Sequence, residues 1–370
     1  MINSVEIKNI LENGKNSHQP RVAVLGDLML DEYLQGEVER ISPEEPVPIV
    51  NFQKKIELAG GAANTALNIA SLGAKTSLYG VVGRDRAGGK LLEILKKEGI
   101  NAAGVFQSKK PTTRKIRVMG GEKKQLLRID RESKEEIERE LSAKILNIFK
   151  NNLDRMDAVI FSDYNKGAVS EELAKKIVAL ARKKKKIIVA NFKPDHKYFY
   201  KNASIITLNL KEAAAMVSGN QSLEKMGRNL ADFFGANVLI TRGSAGLSLF
   251  AKKEKPYHLD VYSAQQVYDV VGAGDTVAAV LAWALASGAP LKESVFLSNV
   301  AGSIAVSKKG TSVVSRDEIM YNLFPEKQKV KEEKELRRIL DGLKSAGKKI
   351  VFPNGCFDLF NAKHMEFLTK

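Results

Sequence analysis

The chain has 370 residues, 44% hydrophobic and 28% charged, proportions that support a packed core and exclude a disordered polymer. Lys and Arg number 59 against 43 Asp and Glu, a formal net charge of +16 spread over scattered lysines rather than over a nucleic-acid-binding module. The single cysteine, Cys356, excludes an intrachain disulfide, and no apolar run approaches the about 18–20 residues of a membrane span, so a reducing, cytoplasmic setting is expected.

In chain order, residues 1–20 are polar and lack the apolar core of a signal peptide. Residues 21–26 (RVAVLG) read as a buried strand. Residues 34–53 combine β-type residues with Pro43, Pro46 and Pro48. Residues 62–72 read as a helix closed by Gly73, and residues 77–83 as the next strand. Residues 112–130 alternate polar and apolar on either side of Gly120-Gly121, the pattern of a hairpin. A strand at 158–161 precedes a helix near 171–182, which ends in the basic run 182–186, where cations suit a helix C-terminus. Strands follow at 187–190, 205–207 and 238–241.

Continuous apolar strands between helices predict an α/β fold, with a mostly parallel central sheet and helices on both faces. Residues 34–53 and 112–130 interrupt that rhythm and are expected to form a small projecting β-sheet lid. An exposed apolar face on such a sheet needs cover, and a second copy of the chain supplies it, so a homodimer through the lid strands is expected. One large domain is assigned to residues 1–325, a charged linker helix to 326–348 and a remnant of a second domain, opening with a strand at 349–352, to 349–370. About 20 residues are too few for a core of their own.

Four Gly- or Asn-bearing elements carry candidate chemistry. Asp269-Val270-Val271-Gly272-Ala273-Gly274-Asp275-Thr276 opens a helix that is apolar all round and therefore buried. The amides of Gly272, Ala273 and Gly274 at its start make an anion site. Two roles are open to Asp275: capping the first turn, or accepting a hydroxyl proton as that hydroxyl attacks a phosphoryl group. Gly60-Gly61-Ala62-Ala63-Asn64 precedes a second helix and reads as a tight turn or a ligand contact. Asn209-Leu210-Lys211-Glu212 reads as a capping box or as oxygen ligands reaching Mg²⁺ through water. Thr241-Arg242-Gly243 follows a strand and reads as a turn or as part of a nucleotide pocket.

In this order the elements resemble the ribokinase-like (PfkB-type) carbohydrate kinases over residues 20–320. That resemblance implies ATP and Mg²⁺ as cofactors, Asp275 as base, and Gly272, Ala273 and Gly274 as the hole for charge on the transferring phosphate. It implies Asn209, Leu210, Lys211, Glu212, Thr241, Gly243 and Asn299 on the nucleotide side, with Asn209 and Glu212 reaching the metal through water. Asp31, Gly60, Gly61 and Asn64 are implied to hold sugar hydroxyls, Asp31 lying at the end of the first strand.

The segments Gly26 to Asp31, Arg40 to Pro48 and Ser162 to Ala168 are similar to the kinase half of the bifunctional heptose 7-phosphate kinase/heptose 1-phosphate adenylyltransferases. The implied reaction phosphorylates D-glycero-β-D-manno-heptose 7-phosphate at O1, on the route to ADP-heptose and lipopolysaccharide. Arg40, Arg114, Arg117 and Lys166 are candidates for the distal phosphate because Arg and Lys bind phosphate. Residues 351–360 resemble the start of the transferase half. Its His-x-Gly-His element is here Asn361-Ala362-Lys363-His364, so adenylyltransferase activity is expected to be absent. Asn191-Phe192-Lys193-Pro194 stands where the family has Asp-Pro-Lys, losing one charge beside the metal site. Another sugar, sugar-phosphate or nucleoside kinase, or an inactive dimeric remnant, remains open; a small-molecule sugar phosphate is the expected partner, with neither nucleic acid nor membrane.

Overall fold

Strand β1 (Arg21–Gly26) sets the layers: Val22 and Val24 enter one core while Ala23 and Leu25 enter a second, following the period of two. The same division separates Ile160 from Val159 and Phe161, and Leu239 from Val238 and Ile240. Strands apolar on both faces require helices on both, and the chain supplies them.

The computed structural model describes residues 2–13, 19–121, 124–252, 254–263, 268–308, 310–324, 333–345 and 347–352. After β1 come β2 (Leu28–Ile41), β3 (Pro48–Gly61), β4 (Lys75–Gly83), β5 (Asn101–Ser108), β6 (Thr113–Gly120) and β7 (Lys124–Arg131). They are followed by β8 (Ala158–Asp163), β9 (Ile187–Phe192), β10 (Ile205–Asn209), β11 (Asn237–Thr241), β12 (Leu247–Phe250) and β13 (Tyr257–Leu259). The central sheet has nine strands in the order β13-β12-β11-β10-β9-β8-β1-β4-β5, parallel except at β12 and β13. From β1 the chain first builds outward through β4 and β5, then returns to lay down β8 onward on the other side. The order reverses between β1 and β8, and open α/β sheets bind ligands at the carboxyl ends of strands at such a point.

The lid is a separate four-stranded sheet in the order β3-β2-β6-β7. Its hairpins contain the expected 34–53 and 112–130 segments, but β2 begins at Leu28, so Asp31 lies on the lid rather than at the end of the first central strand. The cause is Asp27, which ends β1. Its amide donates to the Ser162 carbonyl (3.1 Å), and its carboxylate accepts from the amides of Tyr164 (2.7 Å), Lys166 (3.0 Å) and Ala168 (3.0 Å). At the other end of the hairpin, Gly61 turns β3 directly into the helix Ala62–Ser71.

Helix Ala273–Ala286 is buried from Asp275 through Ala284, as an all-round apolar sequence requires. Among the described residues no helix is long and apolar enough to cross a membrane.

The chain divides into two units, Met1–Pro325 and Glu326–Lys370. In the second, a helix runs from Glu333 to Ser345. The strand expected at 349–352 is not formed, and the rest of the expected remnant, 353–370, lies outside the described residues.

Candidate active site

Parallel register places the ends of five strands in one row. Gly26 pairs with Ser162, Ser162 with Asn191, Asn191 with Thr207, and Asn209 with Thr241. The buried helix Ala273–Ala286 brings its N-terminus to this row: Gly274 has Asn191 Nδ2 as its nearest neighbour, 3.9 Å from where a Cβ would sit.

The N-cap of that helix, Gly272, adopts φ 79° and provides no side-chain cap. A side chain there would be strained, and its Cβ would come within 2.8 Å of Asn64 Nδ2. First-turn amides lack intrahelical acceptors. The Ala273 amide makes a long bond (3.4 Å) to the Val270 carbonyl, so the cradle is open mainly toward Gly274. The arrangement suits an anion.

Asp275 is only 2% exposed. Its Oδ2 accepts from Asn64 Nδ2 (3.0 Å) and its Oδ1 from the Tyr164 hydroxyl (2.7 Å). Burial pushes its carboxyl up to about 6, against hydrogen bonds from Asn64, Tyr164 and Thr65 that hold it down. A carboxylate poised just below neutrality is suited to accept a proton. The Tyr164 phenol is driven well above its ordinary value, first by burial and then by the Asp275 charge, so it remains a donor.

Tyr164 is the functional side chain that sequence reasoning did not single out. The segment 162–168 was noted only for its family likeness, while the bond to Asp275 spans 111 positions. Asn64 is placed in the site, but its amide holds Asp275, and its Oδ1 accepts from Asn68 Nδ2 (3.3 Å).

Asp31 is 2% exposed, and its Oδ1 pairs with Arg117 Nη1 at 2.5 Å, while the Arg117 guanidinium lies 5.2 Å from the centre of the Tyr33 ring. Parallel pairing of β2 with β6 sets Tyr33 opposite Arg117. Gly60 is required here because a Cβ would stand 2.3 Å from Asp31 Oδ2. Of the four candidate phosphate-binding cations, Arg117 is thus occupied by Asp31, Arg114 pairs with Glu32, and Lys166 pairs with Glu132 (2.6 Å). Arg40 is exposed near the tip of the hairpin.

Asn209 and Glu212 form a reciprocal capping box, each side chain taking the other's amide at 2.9 Å. Glu212 also binds Lys193 Nζ (2.5 Å), which lies 5.1 Å from the centre of the Tyr164 ring. A chain of contacts therefore runs from the Asn209–Glu212 element through Lys193 and Tyr164 to the Asp275 carboxylate. Leu210 and Lys211 are exposed. Thr241 ends β11, and Gly243 opens the following turn with φ 62° and no atom within 4 Å of a Cβ position. Asn299 is buried, and its amide donates to the Asp260 carbonyl (2.7 Å), fastening the segment after β13.

Among the described residues no group of three or more His, Cys, Asp or Glu could hold a metal ion. Magnesium arriving with phosphates does not need such a cage, because it keeps several waters and takes one or two carboxylates. Glu212 fits that limited role.

The chain is similar to known proteins in both sequence and fold. Residues 19–318 match the pfkB family carbohydrate kinase. The chain is 40% identical over 360 residues to the bifunctional protein HldE of Desulfatibacillum aliphaticivorans, covering 95% of this chain and 73% of that protein. It is 39% identical over 376 residues to HldE of Geobacter sulfurreducens, covering 99% and 76%. Arabidopsis thaliana ribokinase complexed with ribose and ATP superposes with a TM-score of 0.67 at 21% identity, over 83% of this chain and 99% of that one. Phosphofructokinase-2 from Escherichia coli in complex with potassium gives 0.68 at 18% identity, over 83% and 98%. The chain belongs to the pfkB family of carbohydrate kinases, and within it to the HldE proteins, and it is an enzyme that transfers phosphate to an alcohol group of a sugar.

Proposed function

We propose that the chain phosphorylates D-glycero-β-D-manno-heptose 7-phosphate at O1 with ATP. The observation that carries the chemistry is Asp275: a buried carboxylate raised to about 6 by its surroundings, held at both oxygens, at the N-terminus of a buried helix and beside the point where the strand order reverses. The choice of sugar rests on the likeness of segments 26–31, 40–48 and 162–168 to the heptose kinases and on the HldE relatives.

In this mechanism the sugar lies between the lid and the helix N-terminus, with Asp31 and the Gly60 backbone against its ring hydroxyls. Asp275 takes the proton of the anomeric hydroxyl as its oxygen bonds to the γ-phosphorus and the bond to ADP breaks. The helix amides, Gly274 foremost, meet charge gathering on the phosphoryl oxygens. Thr241 and Gly243 border the nucleotide. Asn209 and Glu212 would meet the water shell of Mg²⁺, which neutralises phosphate charge when bound.

Residues 361–364 replace two positions of the His-x-Gly-His element, which supports a chain without adenylyltransferase activity. The lid also supports a dimer. One face of its sheet exposes Phe52 (60%), Leu127 (55%) and Ile129 (48%), and a second copy would cover them.

The test is ADP release over a panel of sugars. Heptose 7-phosphate should give a kcat/KM at least about tenfold above fructose 6-phosphate, ribose and nucleosides, a gap of about 1.4 kcal/mol in transition-state binding. Preference for any other acceptor overturns the substrate, and ADP release without a new sugar phosphate overturns the reaction.

A further inference from the structure

Each oxygen of Asp275 has its own donor, and the two donors come from different parts of the chain: Asn64 from the helix Ala62–Ser71 and Tyr164 from the turn after β8. Two donors on two oxygens fix the plane of a carboxylate. They leave its remaining lone pairs for an acceptor hydroxyl.

Tyr164 is itself held on three sides. Its amide donates to Asp27 Oδ2 (2.7 Å), and the same carboxylate binds the amides of Lys166 and Ala168, so the whole turn is anchored to β1. Its ring carries the Lys193 ammonium at 5.1 Å, and Lys193 is tied to Glu212. Its hydroxyl ends on Asp275. A side chain so constrained does more than fill space. Its hydroxyl bond also favours the ionised form of the Asp275 carboxyl.

We infer that Tyr164 is a positioning residue for phosphoryl transfer: its phenol aims the Asp275 carboxylate at the acceptor hydroxyl, and the Lys193–Glu212 pair braces its ring from the nucleotide side. This rests on Asp275 being the base. The groups facing Asp275 are Tyr164 from the β8 turn, Asn64 and Thr65 from the helix Ala62–Ser71, and Asp31 from β2. The Asp31 charge acts in the same direction as burial, while Asn64, Tyr164 and Thr65 act against both. Removing the phenol hydroxyl therefore raises the Asp275 carboxyl further, because a hydrogen bond to the ionised form favours that form.

The experiment follows the Asp275 carboxyl directly, by carbon-13 NMR titration of the free enzyme labelled at aspartate, with Asp275→Asn assigning the signal. Tyr164→Phe should move the titration up by about one pH unit or more, the size of a hydrogen bond to a charged group. Replacing Tyr164 by 3-fluorotyrosine, a stronger donor of nearly the same shape, should move it down. In turnover the acid limb of kcat/KM should shift in the same direction for each variant, with KM for ATP unchanged. A titration that stays in place in both variants overturns the inference, as does movement of both in one direction. The titration needs no substrate, so failure to find a phosphorylated sugar refutes the proposed function without deciding the role of Tyr164.

Discussion

Asp275→Asn separates the two sides of the active-site carboxylate, its use in catalysis and its cost to the fold. The carboxyl rises from 3.8 to about 6 on folding, chiefly through burial. A rise of about two pH units, at about 1.36 kcal/mol each, is a cost of about 3 kcal/mol to stability at neutral pH. The sign follows from the proton count. Between these two values the native state binds the proton more tightly than the unfolded chain, so stability falls as pH rises. The cost is absent well below 3.8, about half developed at pH 5, and complete above about 6. Asparagine has nearly the same shape and no charge. The variant should therefore gain up to about 3 kcal/mol at pH 7.5 and about half of that at pH 5, less whatever is lost where its amide meets the Asn64 amide. Urea unfolding at the two pH values measures both quantities. In the same variant kcat should fall at least about 10²-fold, the usual scale for a positioned base. Because the loss at Asn64 is the same at both pH values, an effect on stability that is equal at pH 7.5 and pH 5 refutes the burial argument. Retained turnover refutes the base.

Four further outcomes follow from the same geometry. The wild-type kcat/KM should fall with an acid limb near pH 6, reaching about a tenth of its plateau at pH 5, as a pH–rate profile will show. Gly60→Ala places a Cβ against Asp31 Oδ2, so KM for the sugar should rise about tenfold or more while KM for ATP holds, measured by steady-state kinetics. Glu212→Gln keeps an oxygen for the Asn209 amide but loses the Lys193 ion pair. It should raise KM for ATP in the presence of Mg²⁺ with an unchanged melting temperature. Phe52→Glu charges the exposed lid face, and light scattering after gel filtration should show a wild-type dimer become a monomer; a monomeric wild type contradicts the lid interface.

The features that could be read from sequence are those in which one short segment carries its own pattern. Helix Ala273–Ala286 was legible because apolar residues on every side leave a helix no surface to expose. The hairpin around Gly120-Gly121 was legible from alternation. The start of β2 was not. Residues 28–30 continue the apolar run of β1, and the break between the sheets is made by Asp27 taking amides from residues 164–168. The neighbours of Asp275 could not be read for the same reason. Gly272, Gly274 and Asp275 stand together in one motif, whereas Asn64 and Tyr164 meet Asp275 from 211 and 111 positions away. Arg117 was named as a cation for phosphate, and only the parallel register of β2 with β6 brings it to Asp31.

The account stands on the helix N-terminus and its carboxylate acting on the same reacting oxygen. A crystal structure with the sugar phosphate, Mg²⁺ and a non-hydrolysable ATP analogue measures this directly. It should show an Asp275 oxygen about 2.6–3.2 Å from the accepting hydroxyl, and the γ-phosphate against the Gly274 amide. A γ-phosphate bound away from that helix end, or an accepting hydroxyl out of reach of Asp275, would contradict the account.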